Sequence, residues 1–119
     1  MLRDGTVNGI ILSENGRSAE ALSELEIAAR LDPIMTDIHY HLGVVLSDLG
    51  ELDRAERAYR TSIELEPANA DALNNLGILL AQRGDYSGAI GWFERAVEVD
   101  PGHEDAARNL ERARRLFGG

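Results

Sequence analysis

Residues 36–67 read TDIHYHLGVVLSDLGELDRAERAYRTSIELEP, and residues 70–101 read ADALNNLGILLAQRGDYSGAIGWFERAVEVDP. A shift of 34 residues lays Leu42-Gly43 on Leu76-Gly77, Gly50 on Gly84, Ala55 on Ala89, Tyr59 on Phe93 and Pro67 on Pro101. Moving outward, the same shift takes Pro33 to Pro67, and these three prolines are the only ones in the chain. Gly9, Gly16 and Ala21 carry the glycine and alanine columns one cycle further toward the N-terminus. Columns in register over three cycles define an array in which each cycle is one supersecondary unit.

Each column has a physical reason. Glycine inside a helix costs about 1 kcal/mol relative to alanine, so Gly9, Gly43 and Gly77 at one phase require close packing. The expectation is that the first helix of a unit approaches its partner near Ala55 or Ala89, with Leu42, Leu46 and Tyr59 filling the space on either side. Gly16, Gly50 and Gly84 supply the backbone angles that end one helix and reverse the chain. Asp53 with Glu56 reads as a cap at the start of the second helix. Each proline stands just past a helix end, where it cannot continue the ladder.

A first helix with Leu-Gly, a glycine turn, then a second helix with Ala, an aromatic and a closing Pro resembles the tetratricopeptide repeat family. The resemblance covers about residues 9–103. It weakens in LRDGTVNGIIL, where Asn8 replaces the Leu before the Gly and Gly5 stands where a large apolar residue is expected. It implies an all-α, right-handed superhelix of three helix–turn–helix units, over 2–35, 36–69 and 70–103, with a capping helix at 104–117. All belong to one domain whose core is distributed along the stack. In the last segment Glu111 occupies the phase of Gly43 and Gly77, and Arg108, Arg112, Arg114 and Arg115 crowd the surface, so a wet end face is expected. Gly118-Gly119 reads either as the chain's end or as a cut from a longer protein.

Composition narrows the function. No apolar run approaches the 18 or more residues of a membrane span, and MLRDGTVNGIIL lacks the apolar core of a signal peptide, so a cytoplasmic location is the default. With no Cys, thiolate metal sites and a Cys nucleophile are excluded. The balance of 21 acids to 12 bases, a net charge of −9, opposes nucleic-acid binding despite the arginines at 108–115. No nucleophile–base spacing, phosphate loop or HExxH motif is present, so neither catalysis nor a cofactor is expected.

A curved stack puts its first helices on the concave side. The residues left over from packing there are Asp37, Tyr40, His41, Val44, Ser47 and Asp48, then Asp71, Asn74, Asn75, Ile78 and Gln82, then Asp105, Arg108, Asn109 and Arg112. The expected groove consists of Tyr40, His41, Val44, Ser47, Asn74, Asn75, Ile78, Gln82, Arg108, Asn109 and Arg112. Asn75 and Asn109 share a phase, so their amides should lie above one another. In proteins of the resembled family, asparagines in that phase bind peptide main chain; His41 replaces the amide one unit earlier. Four aspartates against two arginines favour a neutral or mildly basic extended segment with an apolar anchor. The family's clamp for acidic chaperone C-termini uses groove lysines and an arginine, which this face lacks. A protein or peptide partner is therefore expected, with no acidic chaperone tail in the groove.

Other residues receive quieter readings. Asp37, Asp71 and Asp105 begin helices, where the dipole favours a carboxylate. His39 faces the packing side and His41 the groove; residues two apart do not share a helix face, and His103 is expected in a loop far from both, so no metal site is expected. Trp92 should cover the junction with the cap helix, and a large exposed aromatic there can also mark an interface. Residues 2–12 combine poor helix formers with Ile10, Ile11 and Leu12. A marginal first helix follows, and with it a second function class: a homodimer formed through this segment. A recruiting segment of a larger enzyme is a third.

Overall fold

The computed structural model describes residues 18–118, and within them the chain is all helix and turn. Six α-helices follow in order: α1 (Ser18–Leu31), α2 (Thr36–Asp48), α3 (Leu52–Leu65), α4 (Ala70–Gln82), α5 (Tyr86–Val99) and α6 (Glu104–Ala113). A π-helical turn, Arg114–Gly118, closes the chain. The weakly patterned segment 2–12 lies outside the described residues. Helices α2 with α3 and α4 with α5 form antiparallel hairpins, α1 packs on α2, and α6 packs on α5. The result is an elongated stack of 53 × 27 × 25 Å.

The turns show why the period is strict. Gly50 and Gly84 adopt φ of +79° and +88°, a left-handed conformation that favours glycine. At the first, Gly50 N–H donates to Ser47 O (3.0 Å) and Glu51 N–H to Leu46 O (2.9 Å). At the second, Gly84 and Asp85 N–H donate to Ala81 O and Leu80 O at 3.0 and 2.9 Å. Both are complete Schellman closures, which satisfy carbonyls the helix end leaves open. Prolines 33, 67 and 101 all lie two residues beyond a helix end.

Capping differs from expectation. The second helix of the middle unit starts at Leu52, so its cap position is Glu51, whose side chain makes no cap bond. Asp53 and Glu56 instead receive Arg83, the residue just past the end of α4, at 2.6 and 3.2 Å. One unit on, Asp85 holds the cap position and its Oδ1 accepts from Gly88 N–H at 3.0 Å. The shorter aspartate reaches the helix amides; glutamate is a poor cap and turns outward.

The close-packing glycines also act differently. A Cβ on Gly43 would stand 2.5 Å from Cε1 of Tyr59, and one on Gly77 2.6 Å from Cε1 of Phe93. The aromatic ring, rather than the alanine, lies on the glycine. Ala55 and Ala89 are fully buried beside it, and Leu73, Leu76 and Leu79 extend the core between hairpins. The expected cap helix is shorter than 104–117. Beyond Ala113 the wider π turn swings Phe117 back, so that its ring stacks on Tyr86 with 3.5 Å between centroids and 7° between planes.

Candidate functional site

First helices α2, α4 and α6 approach one another along the stack, whereas α3 and α5 do not make comparable contact, so α2, α4 and α6 line the inner face. Three clefts run along it. An acidic one of about 530 Å³ lies among Asp37, Tyr40, His41, Glu66, Asp71, Asp100 and His103. A small central one of about 140 Å³ is lined by Val44, Ser47, Asp48, Tyr59, Asn75, Ile78 and Gln82. The third, about 360 Å³ and largely apolar, is formed by Ile78, Ala81, Gln82, Tyr86, Phe93, Asn109, Arg112, Leu116 and Phe117. Ile78 and Gln82 border both the central and the apolar cleft.

The polar floor is a repeating contact. Asn75 Nδ2 donates to the Tyr40 hydroxyl at 3.3 Å, and Asn109 Nδ2 donates to Asn74 Oδ1 at 3.0 Å. Tyr40 and Asn74 occupy one column, and Asn75 and Asn109 the next. Each amide therefore reaches back across the unit boundary to the preceding first helix. Asn74 is only 5% exposed and its carbonyl is engaged, so it supports the floor instead of facing a ligand.

Tyr59 reaches the central cleft from below. Burial pushes its phenol up to about 12, with the negative charge of Asp48 and the neighbouring Tyr40 acting in the same direction against hydrogen bonds to Ser47 and Asn75. Burial and the Asp71 carboxylate also raise Tyr40, opposed by its bond to Asn75. Both phenols stay protonated at neutral pH and serve as neutral hydrogen-bonding groups.

His103 is the site residue that sequence reading placed wrongly. It lies in the same cleft as His41 and holds the cap position of α6. Its Nδ1 accepts from Ala106 N–H at 3.1 Å and its Nε2 stands 2.7 Å from Asp71 Oδ1. The neutral ring does both at once, with its hydrogen on Nε2. The signal was available in the column 35, 69, 103: Asn69 caps α4 by accepting from Ala72 N–H at 3.0 Å, while Met35 caps nothing. His39 is tied to the preceding loop, its Nε2 2.7 Å from Pro33 O.

The remaining expected residues divide. Tyr40 and His41 border the acidic cleft, Val44, Ser47 and Asn75 the central one, and Asn109 and Arg112 the apolar one. Arg108 lines none of the three, because Asp105 and Glu104 hold it along its own helix. Trp92 is partly buried against the core and carries Arg60 of α3 over its ring. Among the described residues no three His, Asp or Glu side chains converge on a common metal position, and no helix is long and apolar enough to cross a membrane.

Helical hairpins stacked about an inner face of first helices define an α-solenoid of the repeat class. The tetratricopeptide repeat family model matches residues 7–55 and 43–104, and the chain belongs to that family. A solved structure of MamA superimposes with a TM-score of 0.84 at 25% identity, over 92% of this chain and 64% of MamA. YrrB, described as a TPR protein with an unusual peptide-binding site, gives 0.80 at 26% identity, over 87% of this chain and 53% of its own. The first TPR of Spaghetti (RPAP3), bound to the HSP90 peptide SRMEEVD, gives 0.85 at 17% identity, over 94% and 89% of the two chains. The chain thus spans less than two thirds of MamA and YrrB. No curated protein matches it in sequence.

Proposed function

We propose that this protein is an interaction scaffold that takes an extended segment of a partner protein along the inner face of α2, α4 and α6. The observation that carries this is the run of three adjoining clefts, acidic at one end and apolar at the other. An apolar side chain of the partner fills the cleft walled by Ile78, Phe93 and Phe117. A basic one lies among Asp37, Glu66, Asp71 and Asp100. At the rim of the apolar cleft the amides of Gln82 and Asn109 meet the peptide main chain. The peptide-binding site of YrrB supports the assignment of a peptide ligand, and a cytoplasmic location is part of the same reading.

A peptide array carrying extended segments with one basic and one large apolar residue tests it. Ile78→Asp and Gln82→Ala should each lower binding, Ile78→Asp by tenfold or more, and both should retain helical content. Binding unchanged in both would refute inner-face docking. A second reading, self-association, has one observation in its favour: Ile34 and Met35 are 75% and 47% exposed, at positions held by Ala68 and Asn69 one unit later, and Leu31 beside them is 81% exposed. Light scattering across a concentration series tests it.

A further inference from the structure

The outer side of α5 departs from the array. Trp92 stands at the phase that Glu24 and Ala58 hold in earlier units, and Gly91 at the phase of Ser23 and Arg57. Two cations lie over the Trp92 ring, the Arg60 guanidinium 5.3 Å and the Arg95 guanidinium 4.6 Å from its centroid. Gly91 lies in the middle of α5, yet a Cβ added to it would meet nothing within 4 Å. Glycine weakens a helix interior relative to alanine. Gly77 is required by Phe93, and a Cβ on Gly88 would meet the Asp85 carboxylate at 2.5 Å, but nothing inside the chain requires Gly91.

Charge points the same way. The chain carries a net −9, and its inner face collects acids. At the Trp92 ring itself the neighbouring charges are the cations Arg60 and Arg95. Arg60 shares Glu56 with Arg83, at 2.9 and 3.2 Å, and among the described residues Arg57 and Arg95 form no ion pair. An indole beside two guanidiniums, with Arg57 one turn before Arg60 on α3, is on this acidic protein a donor-rich surface complementary to carboxylates.

We infer that the outer face of α3 and α5 around Trp92 is a second docking site, for an acidic extended segment of a partner protein. Its carboxylates pair with Arg57, Arg60 and Arg95, and its backbone crosses α5 over Gly91, where no side chain holds it off. This site is independent of the inner face and stands whether or not that face binds peptide.

Trp92 is the only tryptophan, so intrinsic fluorescence reports on this surface directly. Titration with an end-blocked hexaglutamate peptide should change the emission saturably, with the same dissociation constant by calorimetry. Arg57→Ala with Arg95→Ala should raise that constant at least tenfold, whereas Ile78→Asp on the inner face should leave it unchanged. Gly91→Ala should raise the melting temperature yet weaken binding severalfold. No saturable signal, or equal binding by the arginine double variant, overturns the site. Equally tight binding of a thymidine oligonucleotide of the same charge overturns the assignment to peptide, and unchanged binding by Gly91→Ala overturns the backbone crossing.

Discussion

Two glycine-to-alanine substitutions, at Gly77 and Gly91, have opposite expected signs. A methyl group at Gly77 would stand 2.6 Å from Cε1 and 2.7 Å from Cδ1 of Phe93. Carbon atoms rest at about 3.5–4.0 Å, so the ring must retreat by about 1 Å. Phe93 is buried against Ala89 and Ala96 and has no room to do so freely. Overpacking of this kind costs about 1–3 kcal/mol, while alanine in a helix interior returns about 1 kcal/mol. Gly91→Ala collects the same helical gain with nothing to strike. The difference between the variants therefore isolates the steric cost, about 1–3 kcal/mol, or very roughly 4 °C in melting temperature per kcal/mol for a chain of this size. Urea unfolding followed by helical circular dichroism measures it. Phe93→Leu in the Gly77→Ala background should recover part of the loss, as coupled neighbours do. Equal stability of Gly77→Ala and Gly91→Ala would refute the ring-on-glycine account of the hairpin.

Three further outcomes follow from particular contacts. His103→Ala should cost about 1 kcal/mol of stability through the lost cap, and His103→Asn, which installs the residue found one unit earlier, should recover it; thermal melts of both variants decide this. The folded Tyr59 phenol at about 12 lies above its ordinary value of 10.0, so the folded state holds a proton that the unfolded state releases. Stability is therefore full below pH 10 and falls between pH 10 and 12, and Tyr59→Phe should flatten that fall in urea titrations at successive pH values. Phe117→Ala should cost about 0.5–1.5 kcal/mol through the lost stack on Tyr86 and remove one wall of the apolar cleft, seen as weaker binding of any peptide that needs an apolar anchor.

Helix positions and turns follow from the sequence because they depend on local chemistry. The left-handed angle at Gly50 and Gly84, the prolines beyond each second helix and the 34-residue phase act within a few residues of themselves. The inner face was legible for the same reason, since phase alone puts Tyr40, Val44, Asn75, Ile78 and Asn109 on first helices. Side-chain partners were not. That Asn75 reaches Tyr40, and that Arg60 of α3 lies over Trp92, depends on how neighbouring units pack.

The amino-acid sequence by itself determined the array: its period, its hairpins, the glycines that turn and close them, and the family to which it belongs. Tertiary structure alone decided which groups share a cleft. His103 joins His41 and Asp71 because successive units curve together, and Phe117 reaches Tyr86 because the chain widens into a π turn after Ala113. A repeat fixes where a side chain starts on its own helix. What that side chain meets is set by the superhelical rotation accumulated between helices, a property of packing that no single unit contains.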